Sequence, residues 1–304
     1  MTRVVALGGG HGLAASLGAV RRYADDICAI VSVADDGGSS GRLRADFGIP
    51  PPGDLRKCLV ALAQPESLWT GAFEHRFASG DLEGHAFGNL VIAGLADATG
   101  DFPTALAEAG RLLGAVGRVV PATCDPVVLK AVVGTDATGG EGSVQGQVAV
   151  ANSGRIVGVS LVPADPEPPE AALEALARAD QVVIGPGSLF TSVLAVVAVP
   201  ALRDALATTP GRKVYVCNLR EQAPETTGYD VADHVEALAA HGLDVDVVLY
   251  HPGALPVGSP GVTCVERPVA RPGEMAHDPE RLAAALVDLV DMGRVDRQKQ
   301  GGNT

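Results

Sequence analysis

The chain has 304 residues, of which 47% are hydrophobic and 19% are charged, so it is long enough to bury a substantial core as one large domain or two smaller ones. Its formal net charge of −13 argues against a nucleic-acid-binding protein, because such proteins gain much of their affinity by neutralising phosphates. Five widely spaced cysteines without a C-x-x-C pair argue against a disulfide framework and against a structural zinc site.

The apolar segments are too short for a signal peptide or a membrane span. The run 4–7 ends at once in glycines. The run Val193–Leu202 is far shorter than a bilayer requires, and it contains Pro200. We therefore expect a cytoplasmic protein with no membrane span and no nucleic-acid partner.

The first 115 residues predict alternating strands and helices. Residues 3–7 form a short β-branched run that predicts a strand, and apolar residues with helical spacing follow over 13–24. A second strand is predicted over 27–34, where apolar residues on both faces are typical of a parallel sheet covered by helices. Proline, glycine and an acidic residue open a helix within 50–64, and residues 66–115 are predicted to be mostly helical.

The rest of the chain predicts a small β-rich insertion over 118–165, followed by a return to alternating elements. The strand candidates of the insertion, separated by glycine-rich turns such as 138–142, are 127–133, 143–152 and 155–163. The later elements are a helix at 166–179, strands at 180–185 and 212–218, a helix at 230–241, a strand at 244–250 and a helix at 279–292. We predict a single domain over 1–293 and a flexible polar tail over 294–304.

This alternation predicts an α/β fold with a mostly parallel sheet. In such folds, ligands bind beyond the carboxyl ends of the strands, where the strand order reverses. Four glycine-rich or polar loops follow predicted strands at that end, and we expect them to form one crevice. These loops are 8–12, 35–53, 185–188 and 218–228.

The first loop, "GGGHG", connects a strand to a helix. Glycine lets backbone N–H groups approach an anion, and the N-terminus of a helix favours negative charge. Gly10, Gly12 and Ala15 formally satisfy the dinucleotide-binding pattern G-x-G-x-x-G/A, although a tight strand-to-helix turn explains the glycines equally well. An ordinary P-loop is not present in the sequence. The candidate ligand contacts are Gly9, Gly10, His11 and Gly12.

The second loop, "ADDGGSSGRLR", offers carboxylates, hydroxyls and guanidinium groups. Asp35 follows Gly10 by about the interval at which a dinucleotide fold places an acid that binds ribose. Alternatively, Asp35 and Asp36 hold Mg²⁺ together with phosphate oxygens, which the arginines also contact. A solvated turn in which the aspartates cap backbone N–H groups remains the third interpretation. The candidate ligand contacts are Asp35, Asp36, Ser39, Ser40 and Arg42.

Two further motifs supply one candidate each. In "PPGDLRKC", Asp54 stands at the start of a predicted helix, where helix capping and ligand binding are compatible roles. In "GHAFGNL", His85 and Asn89 are four residues apart on one helix face. Because a single histidine is more often structural than catalytic, we take Asn89 as the candidate ligand contact.

The last two loops are rich in possible hydrogen-bond donors. In "IGPGSLFTS", Gly185 and Gly187 flank a proline, Ser188 is the natural helix cap, and the turn resembles an anion-binding nest. A nucleophilic role of Ser188 is less favoured, because no G-x-S-x-G surrounds it. In "CNLREQAPETTGYDVADH", Asn218 and Thr226 could face a base, ribose or sugar, and an ordinary polar connection is the equal alternative.

Together these motifs resemble the gluconeogenesis-factor (YvcK) family, a branch of the CofD-like group. The segments "ADDGGSSGRLR", "PPGDLRKCLVAL", "GHAFGNL", "VIGPGSLFTS" and "CNLREQAPETTGYDVADH" occur in the family's order, and the similarity spans roughly residues 3–250. The resemblance implies a cytoplasmic bacterial protein with a three-layer α/β/α fold and a mostly parallel Rossmann-like sheet. It also implies binding of UDP-N-acetylglucosamine and a role in carbon flux, peptidoglycan precursor supply and cell shape.

The same group includes enzymes, the Mg²⁺-dependent 2-phospho-lactate transferases. The sequence of the glycine and aspartate loops favours the regulatory branch. Three departures from the family pattern concern ligand contacts. A proline- and glycine-rich segment follows Tyr250, Ala276 stands where relatives often have arginine, and Glu221 with Ala223–Pro224 changes the loop after Asn218.

We therefore carry three hypotheses. The first is a nucleotide-sugar-binding regulator without a certain cofactor. In it, the glycine loops and Arg42 hold the diphosphate, Asp35 and Asp36 bind ribose hydroxyls or Mg²⁺, and Asn218 with Thr226 faces the base or sugar. A protein partner in cell-wall precursor metabolism reads the ligand-dependent ordering of the loops, and the protein forms a homo-oligomer.

The second hypothesis is a Mg²⁺-dependent phosphoryl or nucleotidyl transferase, in which Asp36 or Asp54 is essential. Such chemistry depends on positioning and charge and needs no conspicuous nucleophile. The third hypothesis is an NAD(P)-binding oxidoreductase, argued only from Gly10, Gly12, Ala15 and Asp35.

Overall fold

The computed structural model describes residues 1–134 and 141–301, with side chains described as far as Val290. Its ten strands are β1 (Arg3–Gly8), β2 (Asp26–Val31), β3 (Arg118–Pro121), β4 (Val128–Gly134), β5 (Glu141–Gln145), β6 (Ile156–Val162), β7 (Gln181–Ile184), β8 (Arg212–Val216), β9 (Val247–Tyr250) and β10 (Thr263–Glu266).

The helices before the small sheet are α1 (Gly10–Val20), α2 (Gly38–Phe47), α3 (Pro52–Leu62), α4 (Leu68–Glu74), α5 (Phe87–Thr99) and α6 (Phe102–Leu113). The later helices are α7 (Gln147–Ala151), α8 (Glu170–Arg178), α9 (Leu194–Val197), α10 (Pro200–Thr208), α11 (Val231–Ala240) and α12 (Pro279–Gly301). A single π-helical turn at Leu189–Val193 leads into α9.

Seven strands form one parallel sheet in the order β10-β9-β8-β7-β1-β2-β3. The strands are apolar on both faces because helices cover both faces of the sheet. Helix α1 packs against α3 and α12. Helix α8 packs against α10 and contacts β1 and β2. The predicted α/β fold with a mostly parallel Rossmann-like sheet is confirmed.

A separate three-stranded antiparallel sheet, in the order β5-β4-β6, confirms the predicted small β-rich unit. Its predicted start at 118 is wrong, because β3 pairs with β2 in the large sheet. The strand predicted over 143–152 is also wrong in its second half. Gly146, with a φ of +94°, ends β5, and α7 follows at once. The predicted turn at 138–142 falls largely on 135–140, which lie outside the described residues.

Two further boundaries differ from the prediction. The segment 35–53 is not a continuous loop, because α2 begins two residues after Asp36. The last helix does not end at 292, since its backbone is helical as far as Gly301, and the predicted tail from Arg294 therefore begins within α12. Residues 302–304 lie outside the described part of the chain.

Within the described ranges, no single helix has the length and apolar character needed to cross a membrane. The two helical segments Leu189–Val197 and Pro200–Thr208, which meet at a bend of 80°, pass that test only when taken together, by length and composition.

The packing of β1 in the interior of the sheet explains why substitutions there should be costly. Leu7 of β1 pairs with Ile30 on one side and Ile184 on the other, and all three side chains are fully buried. We expect Leu7→Ala to lower the free energy of unfolding by about 2–5 kcal/mol, because the substitution leaves a cavity that the sheet cannot fill. Chemical denaturation measures this change. Val157→Ala, at a position that is 58% exposed on β6, is the control, and an equal loss there would contradict the assignment of the core.

Candidate functional site

The strand order reverses between β1 and β7, so the loops that leave these two strands meet at one edge of the sheet. The first loop runs through Gly9 into α1, and the second follows Ile184. Two contacts join them: the Ser16 hydroxyl donates to the Gly185 carbonyl at 2.6 Å, and the Gly185 N–H donates to the Leu7 carbonyl at 3.0 Å. The crevice predicted from the sequence begins at this junction.

The N-terminus of α1 lies at the centre of the junction, and two of its glycines are required by geometry. Gly10 has a φ of +63°, a conformation that side chains rarely adopt. A Cβ on Gly12 would lie 2.2 Å from the carbonyl oxygen of Pro186. No side chain in the described part of the protein caps this helix, and its first turn holds no acidic residue. The helix therefore presents positive dipole charge to a bound anion.

Two joined cavities flank the first turn of α1. The smaller, of about 320 Å³, we call the aspartate cavity; its lining includes Gly9, Gly10, Ser32, Asp35, Asp54, Lys57, Gln147, Ser188 and Ser192. The larger, of about 500 Å³, we call the arginine cavity; its lining includes Asn218, Leu219, Arg220, Arg271, Met275, Ala276 and His277. Both are lined by His11, Gly12, Gly187 and Gln222, so the two cavities form one crevice.

Asp35 and Asp54 bring two carboxylates into the aspartate cavity. Asp54 forms an ion pair with Lys57 at 3.0 Å, and its second oxygen lies so close to Gly9 that a Cβ there would be 2.8 Å away. Asp35 accepts a hydrogen bond from the Gly37 N–H at 3.0 Å. Burial raises the pKa of Asp35; the Gly37 N–H opposes this shift, and the charge of Asp54 adds to it. The two carboxylates therefore favour a cationic or hydrogen-bond-donating ligand.

His11 lies where the two cavities meet. Burial lowers the pKa of His11, and the ammonium group of Lys57 lowers it further, while Asp54 raises it. The ring is therefore mostly neutral at pH 7. A neutral imidazole can donate a hydrogen bond to a ligand that crosses from one cavity to the other, or accept one from it.

Asp36 turns away from its neighbour. Both of its carboxylate oxygens accept N–H groups in the first turn of α7, from Gln147 at 2.9 Å and from Val148 at 3.0 Å. Asp36 does not line either cavity. The two aspartates, which were predicted to bind one ligand together, therefore have different roles. Asp35 lines the cavity, whereas Asp36 holds α7 and thereby places Gln147 at the cavity.

The residues fit a Mg²⁺ ion only in part. Mg²⁺ prefers one or two carboxylates together with water and phosphate oxygens, and Asp35 with Asp54 could supply the carboxylates. Among the described residues, no group of three or more His, Cys, Asp or Glu side chains is arranged to hold a metal. A metal at this position would therefore complete its coordination with oxygens from the ligand and from water.

Three predicted ligand contacts do not line either cavity because other groups hold them. Arg42 is exposed and donates to the Glu83 carbonyl at 2.9 Å. Asn89 is buried between Arg56 and Ser39. Ser39 is buried and contacts Asn89, so both residues belong to a polar chain behind the cavity.

Ser40, Gly185 and Thr226 also serve the frame of the site and do not line it. The Ser40 hydroxyl lies against the start of α3, where a Cβ on Gly53 would be 2.2 Å away. Gly185 has a φ of +72° and packs behind the crevice. The buried Thr226 hydroxyl accepts the Gln222 N–H at 3.0 Å, which closes the turn that carries Gln222 to the cavities.

The predicted anion nest at 185–188 is largely occupied by the protein itself. Asn218 accepts from the Gly187 N–H and donates to the Gly187 carbonyl, both at 3.0 Å. The buried carboxylate of Glu225 accepts the N–H groups of Phe190 at 2.7 Å and Thr191 at 3.3 Å. Burial raises the pKa of Glu225, and these two N–H groups oppose the shift. Glu225 therefore caps the π-helical turn.

The Ser188 side chain, in contrast, makes no capping hydrogen bond, so the predicted cap is wrong. Its hydroxyl instead lies 3.3 Å from the Gln222 side-chain nitrogen, which donates to it. With the π-helical turn capped by Glu225, an anion in the crevice is best placed at the N-terminus of α1.

Several lining residues were not predicted. Lys57 and Gln147 extend the aspartate cavity, and Arg220 and Arg271 supply positive charge to the arginine cavity. Lys57 could have been found from its place one helical turn after Asp54. Arg271 stands alone in a proline- and glycine-rich segment that carries no local signal. Ala276 lines the same cavity as Arg271.

The approach of α1 to Pro186 provides a test of the junction. We expect Gly12→Ala to lower the free energy of unfolding by about 1–3 kcal/mol, because the new methyl group would push against backbone that cannot move away. Thermal or chemical denaturation measures the change. Gly18→Ala is the matched control in the same helix, since its Cβ would meet only Pro279 at 3.5 Å. Equal tolerance of both substitutions would refute the close approach.

Comparison with known proteins identifies the family and agrees with the fold. The family model described as 2-phospho-L-lactate transferase CofD matches residues 4–270. A putative gluconeogenesis factor of Mycobacterium leprae is 43% identical over 317 residues, covering 96% of this chain and 87% of its own. The gluconeogenesis factor of Bacillus subtilis is 42% identical over 241 residues, covering 79% of this chain and 74% of its own. A crystal structure of a UPF0052 family member from Bacillus halodurans has a TM-score of 0.86 at 36% identity, covering 94% of this chain and 98% of that one. The chain belongs to the CofD family, and the relatives that it resembles carry the name gluconeogenesis factor.

Proposed function

We propose that this protein binds a nucleotide sugar of the UDP-N-acetylglucosamine type in the crevice. The observation that carries the proposal is the position of the N-terminus of α1 between an acidic and a basic cavity. A diphosphate favours helix N-termini and arginine side chains, whereas sugar hydroxyls favour carboxylates. The two joined cavities, of about 320 and 500 Å³, suit a ligand with these two kinds of group.

In this arrangement the diphosphate lies across Gly10 and Gly12. Arg271 and Arg220 replace Arg42 as the source of positive charge on the ligand. Hydroxyl groups of the ribose or of the sugar donate to Asp35 and Asp54. Gln222, which lines both cavities, and Asn218, which lines the arginine cavity, orient the remaining polar groups.

A divalent cation would have a clear role at the aspartate cavity. Two carboxylates beside a diphosphate repel it, and the single ammonium group of Lys57 offsets only part of that charge. Mg²⁺ between the carboxylates and the phosphate oxygens would convert this repulsion into attraction. The binding of the nucleotide sugar is therefore expected to depend on Mg²⁺.

The regulatory part of the proposal links occupancy of the crevice to carbon flux and the supply of cell-wall precursors, and hence to cell shape. The names of the relatives support the link to carbon metabolism. Helix α7 could report occupancy, since Asp36 fixes its first turn and Gln147 lines the aspartate cavity. A protein partner in cell-wall precursor metabolism would read the position of α7. Assembly into a homo-oligomer and a cytoplasmic location remain predictions.

A second candidate is a Mg²⁺-dependent phosphoryl or nucleotidyl transferase of the 2-phospho-lactate transferase type. The match to the CofD family model over residues 4–270 favours it. In this case Asp54 and Asp35, and not Asp36, would be the carboxylates at the metal. The oxidoreductase hypothesis gains no support from the family match.

Replacing the cavity carboxylates tests both candidates. We expect Asp35→Asn and Asp54→Asn each to abolish the Mg²⁺-dependent part of UDP-N-acetylglucosamine binding, because an amide is a poor ligand for this ion. Isothermal titration calorimetry with and without Mg²⁺ measures this effect. Asp97→Asn, at an exposed position on α5, is the control. A wild-type protein that binds without regard to Mg²⁺ would contradict the metal role, and turnover lost while binding survives would favour the transferase.

The proposal that Arg271, and not Arg42, contacts the diphosphate provides a separate test. We expect Arg271→Gln to weaken UDP-N-acetylglucosamine binding by about tenfold, since one partly screened charge contact with phosphate is lost. Measured at pH 8, Arg42→Gln should leave the affinity unchanged, because Arg42 donates to a backbone carbonyl outside the crevice. Calorimetry on the two variants gives the answer. The opposite order of effects would restore Arg42 to the phosphate site.

A further inference from the structure

Behind the aspartate cavity lies a chain of four buried polar side chains from three elements and the segment before α5. The Nε of Arg56, on α3, donates to the Oδ1 of Asn89 on α5 at 2.9 Å. The amide nitrogen of Asn89 donates to the Ser39 hydroxyl on α2 at 3.1 Å, and this hydroxyl lies 3.0 Å from the Nδ1 of His85. All four side chains are buried, with exposures between 2 and 8%.

The first member fixes the direction of the hydrogen bonds as far as Ser39. A guanidinium group can only donate, so the amide oxygen of Asn89 faces Arg56 and the amide nitrogen faces Ser39. The Ser39 oxygen therefore accepts from Asn89. Among the described contacts of this buried hydroxyl, the Nδ1 of His85 is the acceptor for its proton. It follows that Nδ1 is an acceptor and that the neutral ring carries its proton on Nε2.

The chain also fixes the spacing between the two carboxylates of the cavity. Ser39 and Ser40 lie in the first turn of α2, which begins three residues after Asp35, and Ser40 contacts the start of α3 at Gly53. A Cβ on Gly53 would lie 3.4 Å from the Oδ2 of Asp35. Because α3 also carries Asp54 and Arg56, the chain ties the helix that follows one aspartate to the helix that holds the other.

Protonation of His85 would reverse the last hydrogen bond. A proton on Nδ1 would donate to the Ser39 oxygen, and the buried Ser39 hydroxyl proton would lose its acceptor. The charged groups that act on the ring are Arg42 and Asp46 from α2 and Arg76 from the segment before α5, with Arg56 reaching it through Asn89. Burial lowers the pKa of His85, Arg42 and Arg76 lower it further, and Asp46 opposes them.

The sign of the pH dependence follows from this direction. In the folded protein the pKa of His85 lies below the ordinary value of about 6.5. The hydrogen bonds from Arg56 to His85 are therefore intact at neutral pH. The contribution of these hydrogen bonds to stability falls as the pH drops below that ordinary value, because His85 binds the proton more readily in the unfolded protein.

We propose that Arg56, Asn89, Ser39 and His85 are positioning residues that hold the first turn of α2, so that protonation of His85 displaces Asp35 within the cavity. The consequence for ligand binding rests on the proposed function, whereas the coupling between His85 and Asp35 does not.

The coupling can be measured without a ligand by NMR on protein labelled at histidine nitrogens and aspartate carboxyl carbons. We expect the His85 ring to carry its proton on Nε2 at neutral pH. We expect the Asp35 carboxyl shift to show an inflection at the pKa of His85. Ser39→Ala should remove that inflection while His85 still titrates. Ser79→Ala, which removes an exposed hydroxyl from the same segment as His85, is the matched control and should retain it.

A second variant tests the direction of the chain and does not depend on the folding of the first. In Asn89→Asp the carboxylate pairs with Arg56 and accepts the Ser39 proton, so His85 must hold a proton on Nδ1, and its pKa should rise. A wild-type ring protonated on Nδ1 at neutral pH, an Asp35 shift without the inflection, or an unchanged ring in Asn89→Asp would each overturn the proposal.

Calorimetry with UDP-N-acetylglucosamine then separates this proposal from the proposed function. Wild-type affinity should fall about tenfold below the pKa of His85, the equivalent of roughly one lost hydrogen bond, and Ser39→Ala should lose this pH dependence. Affinity that is independent of pH in a wild-type protein that does bind would overturn the positioning role. A wild-type protein that never binds the nucleotide sugar contradicts the proposed function. In that case the NMR measurement alone decides whether His85 is coupled to Asp35.

Discussion

The contact between Gly12 and the Pro186 carbonyl is the constraint on which the rest of the site depends. The carbonyl lies where a Cβ of residue 12 would be, so α1 can approach the loop after β7 only with glycine at that position. This approach places the N-terminus of α1 at the reversal of strand order. The aspartate and arginine cavities exist because the loops after β2 and β8 then meet the same helix end from opposite sides.

The adjacent aspartates at the end of β2 make sense once their directions are known. Asp35 turns into the cavity, and Asp36 turns outward to hold the first turn of α7 through two backbone N–H groups. Repulsion between neighbouring carboxylates is reduced because each has its own donors, Gly37 for the first and α7 for the second. One residue thus contributes charge to the site, and the other connects the site to the small sheet.

The fold could be predicted from sequence because its signals are local. Apolar runs such as 27–34 and 180–185 identify buried parallel strands, and glycines after them identify the crevice. The roles of individual polar residues could not be predicted, because a side chain's direction depends on distant partners. Arg42 faces Glu83, Asn89 faces Arg56, and Glu225 reaches a turn 35 residues earlier in the chain. Arg271 was missed for the same reason, since it meets the cavity only through the folded path of the chain after β10.

The proposed function depends on where a nucleotide sugar contacts the protein. Hydrogen exchange measured by mass spectrometry, with and without UDP-N-acetylglucosamine and Mg²⁺, locates that contact directly. The account predicts slower exchange in the first turn of α1 and in the loop that begins at Asn218, with no change in α6, which lines neither cavity. Unchanged exchange at the start of α1, together with protection of a surface away from the crevice, would contradict it.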